Sequence, residues 1–303
     1  EELTNIQYNW RSASLNLKMP VQTINAANIK PPVLEKKEEV LANIQYRRLK
    51  QNSEHDIAVI IANQDYKTGK NIPDNDPAVR DGKAFEKFAK NGLGIKPGNI
   101  IWLKNASQAQ FLRVFGSSEQ YKGQLHDWVK KDVSRVYVYY AGHGAPSNDN
   151  DSFLVPVDSD SSRLNLNGYK ISTLYKNLTK IPSKSTWVVL ESCFSGLSQG
   201  GEIITNASPI YVQASSVTPP KGITVISAAK SNQIASWEPN GKQSLFTEYF
   251  LKGMSGVADT KPYGNEDNNI SWNELSNYLE DNLTYWARRY YGRDQIAEIF
   301  TGG

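Results

Sequence analysis

The sequence predicts an α/β fold built around a mainly parallel sheet. From Asp56 onward, apolar runs of strand length alternate with segments of helical periodicity, which is the signature of βαβ units. The chain has 303 residues, enough for one large α/β domain or two ordinary ones. Its charge is nearly balanced, with 34 Lys and Arg against 31 Asp and Glu, so binding to nucleic acid through bulk positive charge is not expected.

The apolar runs predict five strands, and the helical patterns between and after them predict six helices. The strands are expected at Ile57–Ala62, Ile100–Leu103, Val136–Tyr140, Thr186–Leu190 and Ile223–Ala228. The helices are expected at Ala78–Lys90, Ser107–Phe115, Tyr121–Lys131, Ile171–Leu178, Ser244–Lys252 and Trp272–Tyr290. We expect core positions for the tyrosines of the run RVYVYY and for Trp102, Trp128 and Trp187.

Composition divides the chain into four segments. Residues 1–52 form an N-terminal extension that is rich in Asn and charge, although Trp10 and Leu17 are too apolar for a purely disordered tail. Residues 197–222 have no clear period and contain several breakers, which is typical of a long surface linker. This linker separates a larger region, residues 53–196, from a smaller one, residues 223–303.

The sequence also bears on compartment and cysteine chemistry. No stretch approaches the roughly 18 consecutive apolar residues of a transmembrane helix, and the first residues match no signal peptide. Because the chain also lacks an initiator Met, we expect a trimmed or processed piece. From the composition and the missing signal peptide we expect a soluble protein, cytoplasmic rather than secreted. The single cysteine, Cys193, excludes a disulfide within the chain and a zinc site built on cysteines.

Two short segments combine reactive side chains with glycine, and each directly follows a predicted buried strand. RVYVYY runs into AGHG, which contains His143, and STWVVL runs into ESCFSG, which contains Cys193. Because ligands of open parallel sheets bind outside the carboxyl ends of the strands, both side chains are expected at one crevice. A lone buried cysteine is most often a small core residue, but the flanking glycines and the accompanying histidine favour a catalytic role for Cys193.

The motifs YYAGHG and ESCFSG resemble those of the caspase-like cysteine peptidases, the family that includes caspases, metacaspases and bacterial orthocaspases. The resemblance covers roughly residues 56–299 and includes a Ser-Trp pair at 236–237 like that of the caspase small subunit. His143 and Cys193 lie 50 positions apart, close to the offset of about 50 in caspases. The resemblance implies a bacterial-type member with a caspase-like α/β/α sandwich around a mainly parallel six-stranded sheet.

The resemblance also implies a Cys-His dyad that acts on protein or peptide substrates. Cys193 would attack the scissile carbonyl, and His143 would protonate the leaving amine and activate water. The backbone N–H groups of Gly144 and Cys193 would hold the oxyanion. Members of the family orient the histidine with a backbone carbonyl, and an adjacent imidazolium is expected to lower the pKa of the thiol.

The acidic residues predict which side chain precedes the scissile bond. Caspases that cleave after Asp have an arginine after the Ser-Trp pair, whereas Glu238 occupies that position here. Metacaspases, which cleave after Arg or Lys, resemble this chain at Asp81 and Glu191, although Asp is more usual at the second position. We therefore expect Asp81, Glu191 and Glu238 to line an S1 pocket for a basic side chain, with Asp74 and Asp76 at its rim. The alternative is that Asp81 caps its own helix and Glu191 pairs with a neighbour.

No metal or other cofactor is expected to be required. Calcium, which many metacaspases need, is the alternative, with acidic candidates at Asp149, Asp151, Asp158 and Asp160. The stretch YGNEDNNISWNE ends like an EF-hand loop but has Tyr263 and Asn268 at two key positions, so we expect a turn and an N-cap there. His55, in a charged segment, and His126, on a predicted helix, are not expected to be catalytic.

Two alternatives to an endopeptidase with Arg or Lys preference stay open. One is a legumain-like peptidase specific for Asn or Asp, which peptides varied at the P1 residue would distinguish. The other is a non-catalytic caspase-like signalling scaffold, which an electrophilic peptide would not label. No nucleic-acid or membrane partner is expected, and an activating partner or regulatory domain would lie outside this chain.

The distribution of basic residues predicts where self-processing can occur. Between Ser185 and Pro220 the chain has no Lys or Arg, and Lys221 directly precedes a predicted strand. The N-terminal extension, in contrast, offers Lys36, Lys37, Arg47, Arg48 and Lys50. We therefore expect activity in a chain that is uncut across the linker, with any processing confined to the extension.

Overall fold

The computed structural model describes residues 44–47, 53–147, 149–195, 197–199, 201–202 and 219–302. Most of the predicted N-terminal extension and most of the predicted linker therefore lie outside the described residues. Within residues 39–303, the described parts form one compact unit. The regions before and after the linker thus share one structure.

Strands and helices alternate along the chain, as the sequence predicts. The first elements are β1 (Ile57–Ala62), α1 (Ala78–Asn91), β2 (Ile100–Lys104), α2 (Gln108–Phe115), α3 (Gln124–Trp128) and β3 (Arg135–Ala141). Next come β4 (Gly144–Pro146), β5 (Ser152–Leu154), α4 (Leu164–Asn167), β6 (Tyr169–Lys170), α5 (Ile171–Lys180) and β7 (Ser185–Glu191). The last are β8 (Leu197–Ser198), β9 (Gly201–Glu202), β10 (Ile223–Ser227), α6 (Leu245–Met254), α7 (Trp272–Leu279), α8 (Tyr285–Tyr291) and β11 (Glu298–Thr301).

Six strands form the central sheet in the order β11-β10-β7-β3-β1-β2. All neighbouring strands pair in parallel except β10 and β11, which are antiparallel. The two strands that precede the histidine and cysteine motifs, β3 and β7, are direct neighbours. A second, antiparallel sheet of β4, β5 and β6 follows the histidine motif.

Helices cover both faces of the central sheet, because its inner strands are apolar on both faces. On one face, alternate residues such as Ile60, Tyr139 and Ile226 share a core with side chains of α1, α6, α7 and α8. On the other face, residues such as Val59 and Val138 share a core with side chains of α2, α3 and α5. This arrangement confirms the expected α/β/α fold with a mainly parallel six-stranded sheet.

The structure corrects some of the expected element bounds. The five predicted strands are present to within one residue at each end. The strand Glu298–Thr301 was not predicted, because three half-buried residues and one exposed residue give too short a pattern. The predicted helix Tyr121–Lys131 is wrong in length, since only Gln124–Trp128 is helical and the flanking residues are extended. Trp128 is 42% exposed, so the prediction that it is a core residue is also wrong.

The predicted final helix is continuous but not uniform. Its two α-helical parts, α7 and α8, are joined by a π-helical segment at Glu280–Thr284. None of the helices in the described part of the chain is both long enough and apolar enough to cross a membrane.

Candidate active site

The two motif-bearing loops leave neighbouring strands at the same edge of the sheet. Strands β3 and β7 are parallel, and their register ends with Ala141 opposite Glu191. His143 and Cys193 each follow two residues later, as the sequence predicts. A Cβ atom added at Gly144 would lie 2.6 Å from the carbonyl oxygen of Cys193. The two loops are therefore in direct contact, and a larger residue at this glycine would force them apart.

His143 is buried, and hydrogen bonds hold both its ring and its backbone. Its Nε2 lies 2.7 Å from the carbonyl oxygen of Pro73, and its backbone N–H donates to the hydroxyl of Tyr66 over 3.0 Å. Its own carbonyl accepts from the hydroxyl of Tyr140 at 2.6 Å. Because a carbonyl can only accept, Nε2 carries the proton and Nδ1 of the neutral ring keeps its lone pair. A backbone carbonyl thus orients the imidazole, as the resemblance implied.

The imidazole of His143 is neutral at pH 7. Burial lowers its pKa from 6.5 to about 4, against the opposing effects of the Pro73 carbonyl and the Asp74 carboxylate. The ring of Tyr66 contributes to this burial, since its centroid lies 4.8 Å from that of the imidazole. The ring is therefore in the protonation state that a general base requires.

Cys193 is also buried, with 7% of its surface exposed. The backbone N–H of Ala235 donates to its Sγ over 2.7 Å. Burial raises the pKa of the thiol to about 12, and the charge of Glu191 adds to this increase, while Ala235 and Arg293 oppose it. The expected lowering of the thiol pKa by an imidazolium is therefore wrong for this structure, because His143 is itself neutral and burial disfavours the thiolate.

The backbone N–H of Gly144 points away from the small antiparallel sheet. Gly144 pairs with Leu154, and the neighbouring N–H of Val155 donates to the carbonyl of His143 over 3.0 Å. In this antiparallel register the N–H of Gly144 is directed away from β5. An oxygen atom of a ligand in the crevice could accept a hydrogen bond from it.

Two of the three carboxylates expected in the S1 pocket lie together in the interior. Asp81, in the first turn of α1, accepts the backbone N–H of Ser244 with both oxygens, at 3.2 and 3.3 Å. Glu191, at the end of β7, is hydrogen-bonded to Ser244 and Thr247 at the start of α6. The N-cap of α1 is Pro77, without a side-chain cap, so the alternative in which Asp81 caps its own helix is not what the structure shows.

Both carboxyl groups resist ionisation. Burial raises the pKa of Asp81 and that of Glu191, and the charge of Asp81 raises the pKa of Glu191 further. Within the described part of the chain, Oε2 of Glu191 is a buried oxygen without a hydrogen-bond partner. Burying an oxygen without a hydrogen bond costs free energy, and a donor that reaches the oxygen removes this cost. The pair can therefore accept hydrogen bonds from a cationic group.

The other carboxylates expected at the pocket differ in burial. Glu238 is buried on a hairpin whose other arm carries Ser244. Asp74 is exposed and accepts the backbone N–H of Tyr66 over 2.9 Å, and Asp76 is exposed as well. The structure therefore joins Asp81 to Glu191 through Ser244 and leaves the two candidate rim residues at the surface.

The four acidic residues considered for calcium accept hydrogen bonds from this chain or pair with its lysines. The groups are Asp149 with Ser147 and Lys170, Asp151 with Ser152 and Ser172, Asp158 with Gln108, and Asp160 with Ser162 and Lys70. Glu274 forms a capping box with Ser271 at the start of α7, which is the predicted turn and N-cap. No group of three or more His, Cys, Asp and Glu side chains in the described segments could hold a metal ion.

The other two histidines contact surface groups. Nε2 of His55 lies 3.3 Å from Nζ of Lys130, and Nδ1 of His126 lies 3.1 Å from a carboxylate oxygen of Asp127. Both contacts are at exposed positions.

Several residues that shape the site were missed by sequence reasoning. Tyr140 belongs to the recognised motif, but it was assigned only to the core, whereas its hydroxyl holds the histidine loop. Pro73, Tyr66, Ser244 and Thr247 lie in segments far from the two motifs along the chain. No local pattern marks them, because their roles arise only when the chain folds.

A buried histidine and a buried cysteine at the carboxyl ends of neighbouring parallel strands, in an α/β/α sandwich, define a caspase-like domain. The chain belongs to the Peptidase C14 caspase domain family, whose model matches residues 55–289. This match covers most of the region in which the sequence resembles the family.

The chain is similar to a paracaspase of Dictyostelium discoideum, with 24% identity over 209 residues, which is 69% of this chain and 46% of the relative. It thus spans less than half the length of that relative. It is also similar to the crystal structure of caspase-1 from Spodoptera frugiperda, with a TM-score of 0.50 and 13% identity. That alignment covers 86% of this chain and 90% of the caspase chain, and at this identity it shows the fold alone.

Proposed function

We propose that this protein is a cysteine endopeptidase that uses a dyad of Cys193 and His143 and cleaves after Arg or Lys. The observation that carries the proposal is the buried carboxyl pair of Asp81 and Glu191. Glu191 lies two residues before the nucleophile, Cys193. Membership of a peptidase family supports proteins or peptides as substrates.

A basic P1 side chain suits this pair in both charge and hydrogen bonding. A guanidinium carries five N–H donors in a planar fork, and a buried Oε2 of Glu191 has an unused acceptor site. The positive charge would favour the ionised forms of Asp81 and Glu191, which burial disfavours in the free protein. An Asp side chain at P1 would instead place a third carboxyl group beside the pair, which disfavours the legumain-like alternative.

The reaction begins from a neutral thiol and a neutral imidazole. As Sγ of Cys193 attacks the scissile carbonyl carbon, the thiol proton passes to Nδ1 of His143, and the carbonyl oxygen becomes an oxyanion. The backbone N–H groups of Gly144 and Cys193 donate to this oxyanion. Hydrogen bonding from Nε2 to the Pro73 carbonyl keeps the imidazole in the tautomer that accepts at Nδ1.

The imidazolium then completes the two halves of the reaction. It gives its proton to the leaving amine as the C–N bond breaks, which leaves a thioester on Cys193. A water molecule loses a proton to His143 as it attacks this thioester, and the proton returns to the sulfur when the carboxylic acid product leaves.

Fluorogenic peptides that differ only at P1 test the proposed specificity. We expect cleavage after Arg and Lys and little cleavage after Asn, Asp or Ala. An electrophilic peptide with Arg at P1 should add its mass to Cys193, detected by peptide mass spectrometry. Preferred cleavage after Asn or Asp would overturn the specificity, and a protein that neither cleaves nor becomes labelled would favour the non-catalytic scaffold.

A further inference from the structure

The hairpin that carries Trp237 has one edge paired internally and a second edge that faces the Cys193 loop. Trp237 pairs with Ser244 in an antiparallel bridge. Two hydrogen bonds flank this pair, from Leu245 N–H to Ser236 C=O at 2.9 Å and from Glu238 N–H to Gln243 C=O at 2.7 Å. In this register the N–H and C=O of Trp237 point away from Ser244 and form the outer edge of the hairpin.

Side chains of the same protein already occupy this outer edge. Oε1 of Gln199 accepts the N–H of Trp237 at 2.8 Å, and Nε2 of Gln199 donates to the hydroxyl of Tyr291 over 3.0 Å. That hydroxyl donates to the carbonyl of Trp237 over 2.7 Å. The three hydrogen bonds close a ring in which an amide and a hydroxyl stand where the backbone of a paired strand would lie.

The catalytic sulfur lies on the same edge. Successive backbone N–H groups of an extended segment alternate between its two edges, so those of Ala235 and Trp237 point the same way. The N–H of Ala235 donates to Sγ of Cys193 over 2.7 Å. The N–H of Ser236, between them, donates in the other direction, to Oε1 of Gln295 at 2.8 Å.

We propose that Gln199 and Tyr291 form an intramolecular block on the edge where an extended substrate peptide pairs. This inference rests on the proposed peptidase function. An antiparallel peptide whose P3 residue lies opposite Trp237 would place its P1 residue opposite Ala235, beside Cys193. Its backbone would take over the two hydrogen bonds that Trp237 now makes with Gln199 and Tyr291.

The position of Gln199 in the chain couples this block to the nucleophile. Gln199 lies six residues after Cys193, in the turn between β8 and β9, whereas Tyr291 lies at the end of α8. The block and the nucleophile are therefore carried by the same loop of the chain. Because only the unblocked form can pair with a peptide, the block lowers the apparent affinity for substrate by the fraction of molecules that are open.

Peptide binding to non-cleaving protein tests the block without using activity. In a Cys193→Ala background, Gln199→Met keeps the length of the side chain but removes both hydrogen bonds. We expect a Kd about 3- to 10-fold lower for a fluorescent peptide with Arg at P1, since one or two neutral hydrogen bonds no longer compete. Tyr291→Phe should produce a smaller decrease in Kd. The matched controls Gln124→Ala, on α3 across the sheet, and Tyr285→Phe, on α8, should leave it unchanged.

Amide hydrogen exchange at Trp237 provides a second measurement that needs no peptide. In free Gln199→Met protein this amide should exchange faster than in the Cys193→Ala parent, and a bound peptide should protect it again. An unchanged exchange rate, or an unchanged or raised Kd, would overturn the proposed block. An equal decrease in Kd on Gln199→Met for peptides whose P1 residue is neither Arg nor Lys would support the block and overturn the proposed specificity.

Discussion

The two halves of the candidate site are built in different ways. The dyad half depends on local backbone geometry, because His143 and Cys193 follow the last paired residues of two adjacent strands by the same two positions. The acidic half depends on long-range packing, because Asp81, Glu191 and Ser244 come from three elements that are distant in sequence. Local motifs can therefore identify the dyad, whereas the pocket exists only in the folded protein.

Burial has the same effect on the ionisable groups of both halves. It disfavours the charged form of every group, so it lowers the pKa of His143 and raises those of Cys193, Asp81 and Glu191. The free site is thus largely neutral, and a substrate that brings a positive charge and moves Sγ from Ala235 would alter both halves together.

Loss of either dyad residue should have the largest effect. We expect Cys193→Ala and His143→Ala each to lower kcat/KM by at least about 1000-fold, and the double variant to lose little more, because the two groups act in the same steps. The measurement is peptide hydrolysis, with circular dichroism to show that the fold is retained. Substantial cleavage by Cys193→Ala protein would show that the assignment of the nucleophile is wrong.

Changes in the acidic pair should reduce activity while they stabilise the protein. Asp81→Asn and Glu191→Gln should each lower kcat/KM for peptides with Arg at P1 by about 30- to 5000-fold, or about 2–5 kcal/mol. Asp127→Asn, at an exposed carboxylate on α3, is the matched control and should change kcat/KM little. Unchanged preference for Arg in both pocket variants would redirect the assignment to Asp74, Asp76 and Glu238.

The stability part of this prediction follows from the direction of the pKa shifts. A carboxyl group whose pKa is raised on folding contributes stability that is present below its unfolded pKa and is lost as the pH rises through its folded pKa. A neutral amide avoids that loss, so thermal unfolding at pH 7 should show Asp81→Asn and Glu191→Gln to be more stable by about 1 kcal/mol. This gain should disappear at a pH below the unfolded pKa of the carboxyl group.

Alkylation of the free enzyme should show no thiolate near neutral pH. Because burial raises the pKa of Cys193 to about 12, the rate of reaction with iodoacetamide should rise steadily with pH, without a midpoint between about pH 6 and 9. Mass spectrometry of the cysteine-containing peptide gives the rate at each pH. A midpoint near neutrality would instead indicate a thiolate paired with an imidazolium in the free enzyme.

The smallest expected effect concerns the N-terminal extension. Arg47 donates to Asp259 at 3.1 Å and to Asn268 at 3.0 Å, so its side chain is not available to an S1 pocket. We expect intact-mass analysis of active protein to show a chain uncut across the linker, and any N-terminal trimming to spare the bond after Arg47. The other candidate sites, Lys36, Lys37, Arg48 and Lys50, lie outside the described residues.

One variant and the unsubstituted protein test this contact. Arg47→Ala removes the cationic partner of Asp259, whose side chain is buried, so it should cost about 1–3 kcal/mol in the free energy of unfolding and remove any possibility of cleavage there. Fragments separated within the linker and required for activity would contradict the expectation of a single uncut chain. A cut after Arg47 in protein without substitutions would show that the contact with Asp259 does not protect the bond.

The five parallel strands of the central sheet and the two reactive residues can be identified from the sequence alone. These features are local: a buried parallel strand is a run of apolar residues, and the glycines beside His143 and Cys193 mark the turns that follow. The sequence was less informative about β11 and the length of α3, because short half-buried segments carry little periodicity.

The surroundings of the reactive groups depend on the tertiary structure. It set Pro73 against the imidazole, Ala235 against the sulfur and Gln199 against Trp237. It also reversed the expected direction of the thiol pKa shift, because the free energy of a charge depends on the solvent that the whole fold excludes. Sequence spacing identifies groups that can react, but their protonation and access depend on segments that meet only when the chain is folded.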